Sequence, residues 1–391
     1  MTTSVRIFAC LIGLAATPPA SLAQEVSQQP FETVRSLRAL QDQSAQGNTT
    51  AHVTQRAFLA KLAQEMAKAD PELWKEPRNA RSLIVFVLSG GNPSVLKNVL
   101  GQGAFPEASD KIAKAALAYA EGRNSDAAQL LAGFDARALE PSMAGHIAIV
   151  QAELVAKSDP KLALTYLDQA RLLSPGTLIE EAALRREISL LASMGNFEGF
   201  ATFSSVYLRR FPNSIYAGAF RQQFAREIAA HDAYAEAPGR LSKLEESLAT
   251  LDADTRRDIY LSMSREAVAR GKVAMTRFAG RKAGQLSREG SVESLLSKVY
   301  EAAALVATEQ AEQGLAILDG IEKGRLGKSD VELLEQAKSV GELVRRLPDD
   351  AGDTPNPSRA DRGELAKAFR VVELAERALQ RADQALNGAG K

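Results

Sequence analysis

The stretch YLRRFPNSIYAGAF, from Tyr207 to Phe220, decides how the rest of the chain is interpreted. Its arginines, tyrosines and Pro-Asn-Ser turn suit either a ligand-binding loop or the joint between two helices. Proline disfavours the α conformation in the residue before it, so we expect a helix to end at Phe211. Asn213 and Ser214 are turn and capping residues, and an apolar stripe starts at Ile215. The joint gives every residue a structural role, so we prefer it to a ligand loop.

Similar joints recur along the chain at nearly constant intervals. Pro106, Pro141, Pro175 and Pro212 are 35, 34 and 37 residues apart. Ser142, Thr177 and Ser214 follow three of these prolines and are able to cap the next helix. A second set of break residues lies between the prolines, at Gly122, Ser158 and Gly195, and the stretch around Gly90 resembles an earlier, degenerate member of the set. A period of about 35 residues with helix, tight turn, helix and a proline-marked exit is typical of tetratricopeptide repeats.

The sequence therefore predicts an all-α fold, a TPR-like superhelix of helical hairpins (an α-solenoid). The abundance of Ala, Leu, Glu, Gln, Lys and Arg supports it, because these residues lose little on entering a helix. The Trp and Tyr positions of the repeat consensus are not filled regularly, so an ordinary helical bundle is the alternative. We assign residues 24–230 to the repeat region and residues 231–346 to a continued array, with helix–turn–helix edges at Gly271 and near Gly314.

The N-terminus has the pattern of an export signal. A weakly basic start with Arg6 precedes the apolar run Ile7–Ala16, which is far shorter than the roughly twenty residues that span a bilayer. Small residues at Ser21 and Ala23 then predict cleavage near Ala23 and a signal peptide over residues 1–23. A buried N-terminal helix is the alternative. We expect the cleaved protein in the periplasm, without membrane insertion.

Composition argues against several classes of chemistry. The only cysteine, Cys10, lies in the predicted signal peptide, so the mature chain would have no thiol nucleophile, thiolate ligand or disulfide. Lys plus Arg and Asp plus Glu number 48 each and are interleaved, so we expect no nucleic-acid partner. His52, His146 and His231 lack metal-ligand spacing, and no nucleophile elbow, phosphate loop or dinucleotide motif occurs. We predict no enzyme, no cofactor and no metal site.

The C-terminal part has its own pattern. Residues 347–363 are rich in Pro, Asp and Gly with almost nothing apolar, which is typical of a flexible linker. Residues 364–391 then contain an amphipathic helix with Leu365, Phe369, Val372, Leu379 and Ala382 on its apolar side. This helix either folds back on the array, which we favour, or binds a partner helix in trans.

Four stretches of the chain have distinctive amino-acid sequences. They are FETVRSLRALQDQSAQGNTTAH (Phe31–His52), DPELWKEPRNARSLIVFVLSGGNP (Asp70–Pro93), ARLLSPGTLIEEAALRR (Ala170–Arg186) and YLRRFPNSIYAGAFRQQF (Tyr207–Phe224). Together with the signal peptide they resemble the MotC family of periplasmic motility proteins, over about residues 31–320. The resemblance implies a protein that flagellar rotation requires and that binds and stabilises the periplasmic part of the stator protein MotB. It assigns no contact residues.

Three hypotheses remain open at this point. The first is a non-catalytic periplasmic scaffold for the flagellar stator, for which we expect Arg210, Tyr216 and Arg221 to contact the partner because they lie on first helices or their turns. The second is a general periplasmic scaffold for cell-envelope assembly. The third is an enzyme acting on peptidoglycan that carries a superhelical domain, although no segment has the composition of a catalytic domain.

Overall fold

The computed structural model describes residues 29–103, 105–230 and 238–346, and within these ranges it contains seventeen α-helices and no strand. The helices are α1 (Pro30–Ala45), α2 (Thr49–Ala67), α3 (Pro77–Leu88), α4 (Pro93–Gly101), α5 (Glu107–Ala120), α6 (Asn124–Leu131), α7 (Pro141–Val155), α8 (Pro160–Leu173), α9 (Leu178–Ser193), α10 (Phe197–Arg210), α11 (Ala217–Ala230), α12 (Pro238–Leu248), α13 (Ala253–Ala269), α14 (Val273–Leu286), α15 (Val292–Leu305), α16 (Ala311–Asp319) and α17 (Lys328–Arg346). The all-α prediction is confirmed. The TPR-like superhelix, as a defined repeat geometry, stays a prediction.

The predicted joints lie where helices end and begin. The Phe211–Tyr216 turn separates α10 from α11, and Pro141 is the first residue of α7. Thr177 caps α9, since its hydroxyl accepts a hydrogen bond from the Glu180 N–H. The turns between α5 and α6 and between α9 and α10 contain Gly122 and Gly195 at φ +75° and +67°, where a side chain would be strained.

Two details of the joints differ from expectation. Ser142 lies inside α7 and does not cap it, because Pro141 takes the first helical position and Glu140 precedes it. Gly314 lies inside α16, and the turn comes earlier, at residues 306–310. A Cβ at position 314 would lie 2.7 Å from Val306 Cγ1, so glycine serves close packing of α16 on α15 there.

The helices form two sets that alternate along the chain. Odd-numbered helices contact one another, α1 on α3, α3 on α5, α7 on α9, α11 on α13, α13 on α15 and α15 on α17, and most of them also pack on the even-numbered helix that follows. Two further contacts join helices that are far apart in the sequence: α3 packs on α7, and α1 packs on α9. These contacts bring α1, α3, α7 and α9 together within the described residues, beyond the contacts between neighbouring hairpins.

The helices α3 and α7 are buried on nearly all sides. Every residue from Leu83 to Val87 and every residue from Met143 to Ala152 is buried. Such all-round burial explains why the apolar run Leu83–Leu88 is a core helix. Among the described residues, no helix combines the length and hydropathy needed to cross a bilayer.

Three predicted segments lie outside the described residues. They are the signal peptide (residues 1–23), the linker (residues 347–363) and the C-terminal helix (residues 364–391). The composition of His231–Leu241 also predicts a break; residues 231–237 lie outside the described residues, and residues 238–241 form the start of α12.

Candidate functional site

The stretch Phe211–Tyr216 packs against the turn between α1 and α2, and we call this contact the seam. Gly47 in the α1–α2 turn has φ +101°, and a Cβ there would lie 2.5 Å from the Asn213 carbonyl oxygen. The Ile215 N–H donates to the Ser44 carbonyl oxygen at 3.3 Å. Nearby, the Leu178 N–H donates to Asp42 Oδ1 at 2.9 Å. The seam therefore joins α1 to the α10–α11 joint, and the Leu178–Asp42 bond beside it joins α1 to α9.

A buried carboxylate lies beneath the seam. Glu181 on α9 has no exposed surface, and its Oε1 accepts hydrogen bonds from Tyr207 Oη at 2.7 Å and Ser214 Oγ at 3.3 Å. Arg185 Nε donates to the same oxygen at 2.8 Å and supplies the compensating charge. Burial and the neighbouring carboxylate raise the pKa of Tyr207, so its hydroxyl stays a donor. Because a buried charge needs such partners, Glu181 fixes how α9, α10 and the joint pack.

Two of the predicted partner-binding residues lie beside this network. The Tyr216 ring is half-buried, with the Arg185 guanidinium 4.4 Å from its centroid and the His52 ring edge-on at 6.2 Å. Arg210 forms a fork with Glu180, Nε to Oε1 at 2.7 Å and Nη2 to Oε2 at 2.7 Å. Because Glu180 and Glu181 have different partners, the two carboxylates diverge, as expected for adjacent helical residues.

The third predicted residue, Arg221, lies on α11 just beyond the joint. Its Nη1 donates to the Pro212 carbonyl oxygen at 3.1 Å, so it closes the same turn from the other side. Arg210, Tyr216 and Arg221 are thus brought together around one joint, and each has an intramolecular partner. Their contact with another protein stays a prediction.

A second candidate surface is an open groove of about 640 Å³ between α10 and α12. Its lining includes Asn196, Glu198, Thr202, Ser205, Lys243 and Ser247. The Lys243 ammonium lies 3.7 Å from Glu198 Oε1, and these side chains are 71% and 85% exposed. Hydroxyl, amide and charged groups along an open groove suit hydrogen bonding to a polypeptide. Sequence reasoning missed this groove, because α12 follows a break and no periodic signal links it to α10.

The histidines differ in their surroundings. His146 is buried in α7 with Nε2 3.5 Å from Ser89 Oγ, and burial lowers its pKa to about 3. It is therefore neutral at ordinary pH. His52 is exposed beside Tyr216, and His231 lies outside the described residues. In the part of the chain that the structure describes, no three His, Cys, Asp or Glu side chains cluster in a way that could hold a metal ion.

Comparison with known proteins identifies the family. The family described as "Chemotaxis protein MotC" matches residues 1–391. A protein named "Chemotaxis protein MotC" from Rhizobium meliloti (strain 1021) is 31% identical over 327 residues, which cover 83% of this chain and 74% of that protein. No solved structure matches the chain. The family match extends over the whole chain, and the alignment with the Rhizobium meliloti protein covers most of it. The chain therefore belongs to the MotC family of chemotaxis proteins.

Proposed function

We propose that this protein is a non-catalytic periplasmic scaffold that flagellar rotation requires, and that it binds and stabilises the periplasmic part of the stator protein MotB. Membership of the MotC family is the observation that carries the proposal. The described fold supports it, because arrays of packed helices offer extended surfaces on which proteins bind without a cofactor.

The α10–α12 groove is the surface that we assign to the stator. Many of its side chains are exposed, and the ion pair between Lys243 and Glu198 is largely solvated, so breaking that pair on binding costs little. Around the seam, by contrast, Arg210 and Arg221 are held by Glu180 and Pro212, and a partner would have to displace those bonds. The predicted contacts at Arg210, Tyr216 and Arg221 are the second surface to test.

Swimming and binding assays test the function. A clean deletion is expected to abolish swimming while filaments still assemble, and the protein without residues 1–23 is expected to capture the stator's periplasmic domain from a periplasmic extract. Normal swimming in the deletion strain would end the proposal. A deletion strain that becomes sensitive to detergents or changes its cell shape would favour the envelope-assembly scaffold instead.

A charge reversal tests the groove. We expect Lys243→Glu to weaken stator capture at least tenfold, since it places two carboxylates opposite each other in the groove. The matched control is Lys61→Glu, because Lys61 on α2 is 67% exposed and also lies near one glutamate, Glu65 at 3.6 Å. Equal capture by both variants would remove the groove from the proposal and leave Tyr216→Ala and Arg221→Ala as the next test.

The periplasmic location has its own test. A fusion of residues 1–30 to a reporter that is active only after export is expected to give full activity, and changing Ala23 to a bulky residue is expected to block cleavage. An inactive fusion would place the protein inside the cell and contradict stator binding on the periplasmic side.

A further inference from the structure

The last described helix, α17, carries two apolar stripes. The first stripe faces the core, where Leu334 and Ala337 are buried, and a Cβ at Gly341 would lie 2.8 Å from Leu315 Cδ2. The second stripe lies beside the first and consists of Leu333, Val340, Leu343 and Val344. At 100° per residue, these four positions fall within an arc of about 100° around the helix axis.

The second stripe is only partly covered. Val340 is 40% exposed, whereas Leu333, Leu343 and Val344 are half-buried. Gln336 is exposed and falls within the same arc, so one amide interrupts the stripe. Leu333 packs against the core cluster that contains Leu334 and Ala337, so the apolar surface left in contact with water lies mainly over the turn from Val340 to Val344.

This stripe lies at the end of the described array. The main helix contacts of α17 are with α15 and α16, which cover its first stripe. Stacked helical hairpins need a terminal element with a polar outer face, because the last apolar face otherwise meets water. Charged side chains elsewhere on α17 already have partners, such as Lys338 with Asp319 at 2.5 Å and Glu335 with Lys323 at 2.5 Å. The second stripe is therefore the part of α17 that a covering element would stabilise most.

The chain continues directly from this helix, and its sequence matches what the stripe lacks. Within residues 364–386, Leu365, Phe369, Val372 and Leu379 recur at helical spacing on one side. Glu376 and Asp383 interrupt this side, and a carboxylate there is able to accept a hydrogen bond from an amide such as that of Gln336. The opposite side, at 100° per residue, carries the positive residues Lys367, Arg370, Arg377 and Arg381. Leu374 is the apolar exception on that opposite side. As a helix, the segment would cover the stripe with one side and present a mainly charged side to water, as a terminal cap requires.

The connection is long enough. Residues 347–363 separate α17 from the segment, and an extended chain spans about 3.3 Å per residue, or roughly 55 Å here. The helix α17 itself is about 28 Å long at 1.5 Å per residue. Every point of the second stripe is therefore within reach of the tethered segment. A short tether also gives an effective concentration on the order of millimolar, which favours the segment over a free partner or a second copy.

We propose that residues 364–386 form a helix that packs in the same chain on Leu333, Val340, Leu343 and Val344 and caps the array at α17. This inference concerns the end of the array and is independent of the stator-binding proposal. It explains why an apolar stripe persists on the last helix of the described array: the covering helix lies further along the same chain.

Cysteine cross-linking in the full mature chain tests the contact. Cys10 is the only cysteine, so a chain starting at residue 24 provides a cysteine-free background. We expect Val340→Cys combined with Val372→Cys or Leu379→Cys to give an intramolecular product with a short bismaleimide, at least fivefold above the control. The control replaces Val340→Cys by Ser339→Cys, on the neighbouring, solvent-facing side of α17. Equal yields in test and control, or cross-linked dimers in place of monomers, would overturn the proposal.

Hydrogen exchange on the same full chain gives a second readout. The double variant Val372→Asp/Leu379→Asp is expected to raise amide exchange over residues 333–344 several-fold, because the cap no longer packs. Arg377→Asp changes the charged side only and is the matched control. If the double variant exchanges like the wild type over residues 333–344, the segment does not cover α17.

Discussion

Glu187 on α9 provides a sharp test of how burial acts in this fold. The residue is 3% exposed, and its Oε2 lies 3.8 Å from Arg171 Nε on α8, beyond hydrogen-bonding distance. Neither of these two atoms has a hydrogen-bond partner. The Arg171 Nη2 bonds to Asp168, and the guanidinium stacks on Phe203 at 5.4 Å. The positive charge is therefore shared, and the carboxyl of Glu187 is only partly compensated.

The pKa of Glu187 follows from this balance. Burial raises it from 4.5 to about 7, against the lowering effect of Arg171 and with a further rise from Asp168. Between these two values the native protein holds a proton that the unfolded chain releases, so native stability falls as pH rises. The contribution of the protonated Glu187 to the stability of the native state is fully present below pH 4.5 and is lost by the time pH passes 7. At 1.36 kcal/mol per pKa unit, the loss is about 3 kcal/mol.

The substitution Glu187→Gln keeps the shape and removes the charge. We expect its free energy of unfolding, relative to the wild type, to increase by about 3 kcal/mol between roughly pH 4.5 and pH 8. Urea unfolding followed by far-UV circular dichroism at several pH values measures this difference. Glu198→Gln is the control, because that side chain is 85% exposed and should show no such trend. A pH-independent difference for Glu187→Gln would refute the argument from burial.

Two further predictions use the same unfolding assay. Because burial, with help from Arg38, lowers the pKa of His146 from 6.5 to about 3, stability from this group is present above pH 6.5 and lost as pH falls. His146→Gln should remove up to about 5 kcal/mol of this decrease in the free energy of unfolding at acid pH. The control is the exposed His52→Gln. If the free energy of unfolding of His146→Gln falls with pH as steeply as that of the wild type, the prediction is contradicted. Gly47→Ala should cost about 2 kcal/mol or more, because φ is +101° and the added Cβ meets Asn213. Gly103→Ala, at φ +68° in open space, should cost only about 1 kcal/mol, and equal losses would argue against a tight seam.

Local features of the fold were predictable because local chemistry determines them. Phe211 ends a helix since proline follows it, and Thr177 caps α9 since its hydroxyl reaches the Glu180 N–H. The glycine turns near Gly122 and Gly195 follow from the left-handed backbone that only glycine adopts without strain. Gly314 was misplaced because a helical glycine chosen for close packing and a turn glycine look alike in sequence.

Non-local features were not predictable from spacing alone. Glu181 has no mark that distinguishes it from a solvated helical glutamate, because its partners Tyr207 and Ser214 come from another helix and from the joint. The contact between Gly47 and Asn213 depends on how far the array turns, and helical periodicity does not determine that turn. The sequence interpretation of Tyr207–Phe220 as a joint was confirmed, but the partner of that joint across the seam was missed.

The bond from the Leu178 N–H to Asp42 Oδ1 joins residues 136 positions apart and has a consequence for how the protein folds. In an open array of repeats each unit contacts only its neighbours, and folding starts anywhere and spreads. Here the first helix acquires its full set of neighbours only after the chain beyond α9 has folded, which raises the contact order and slows folding. The N-terminal half should consequently melt as one cooperative block, and its two ends should lose amide protection together.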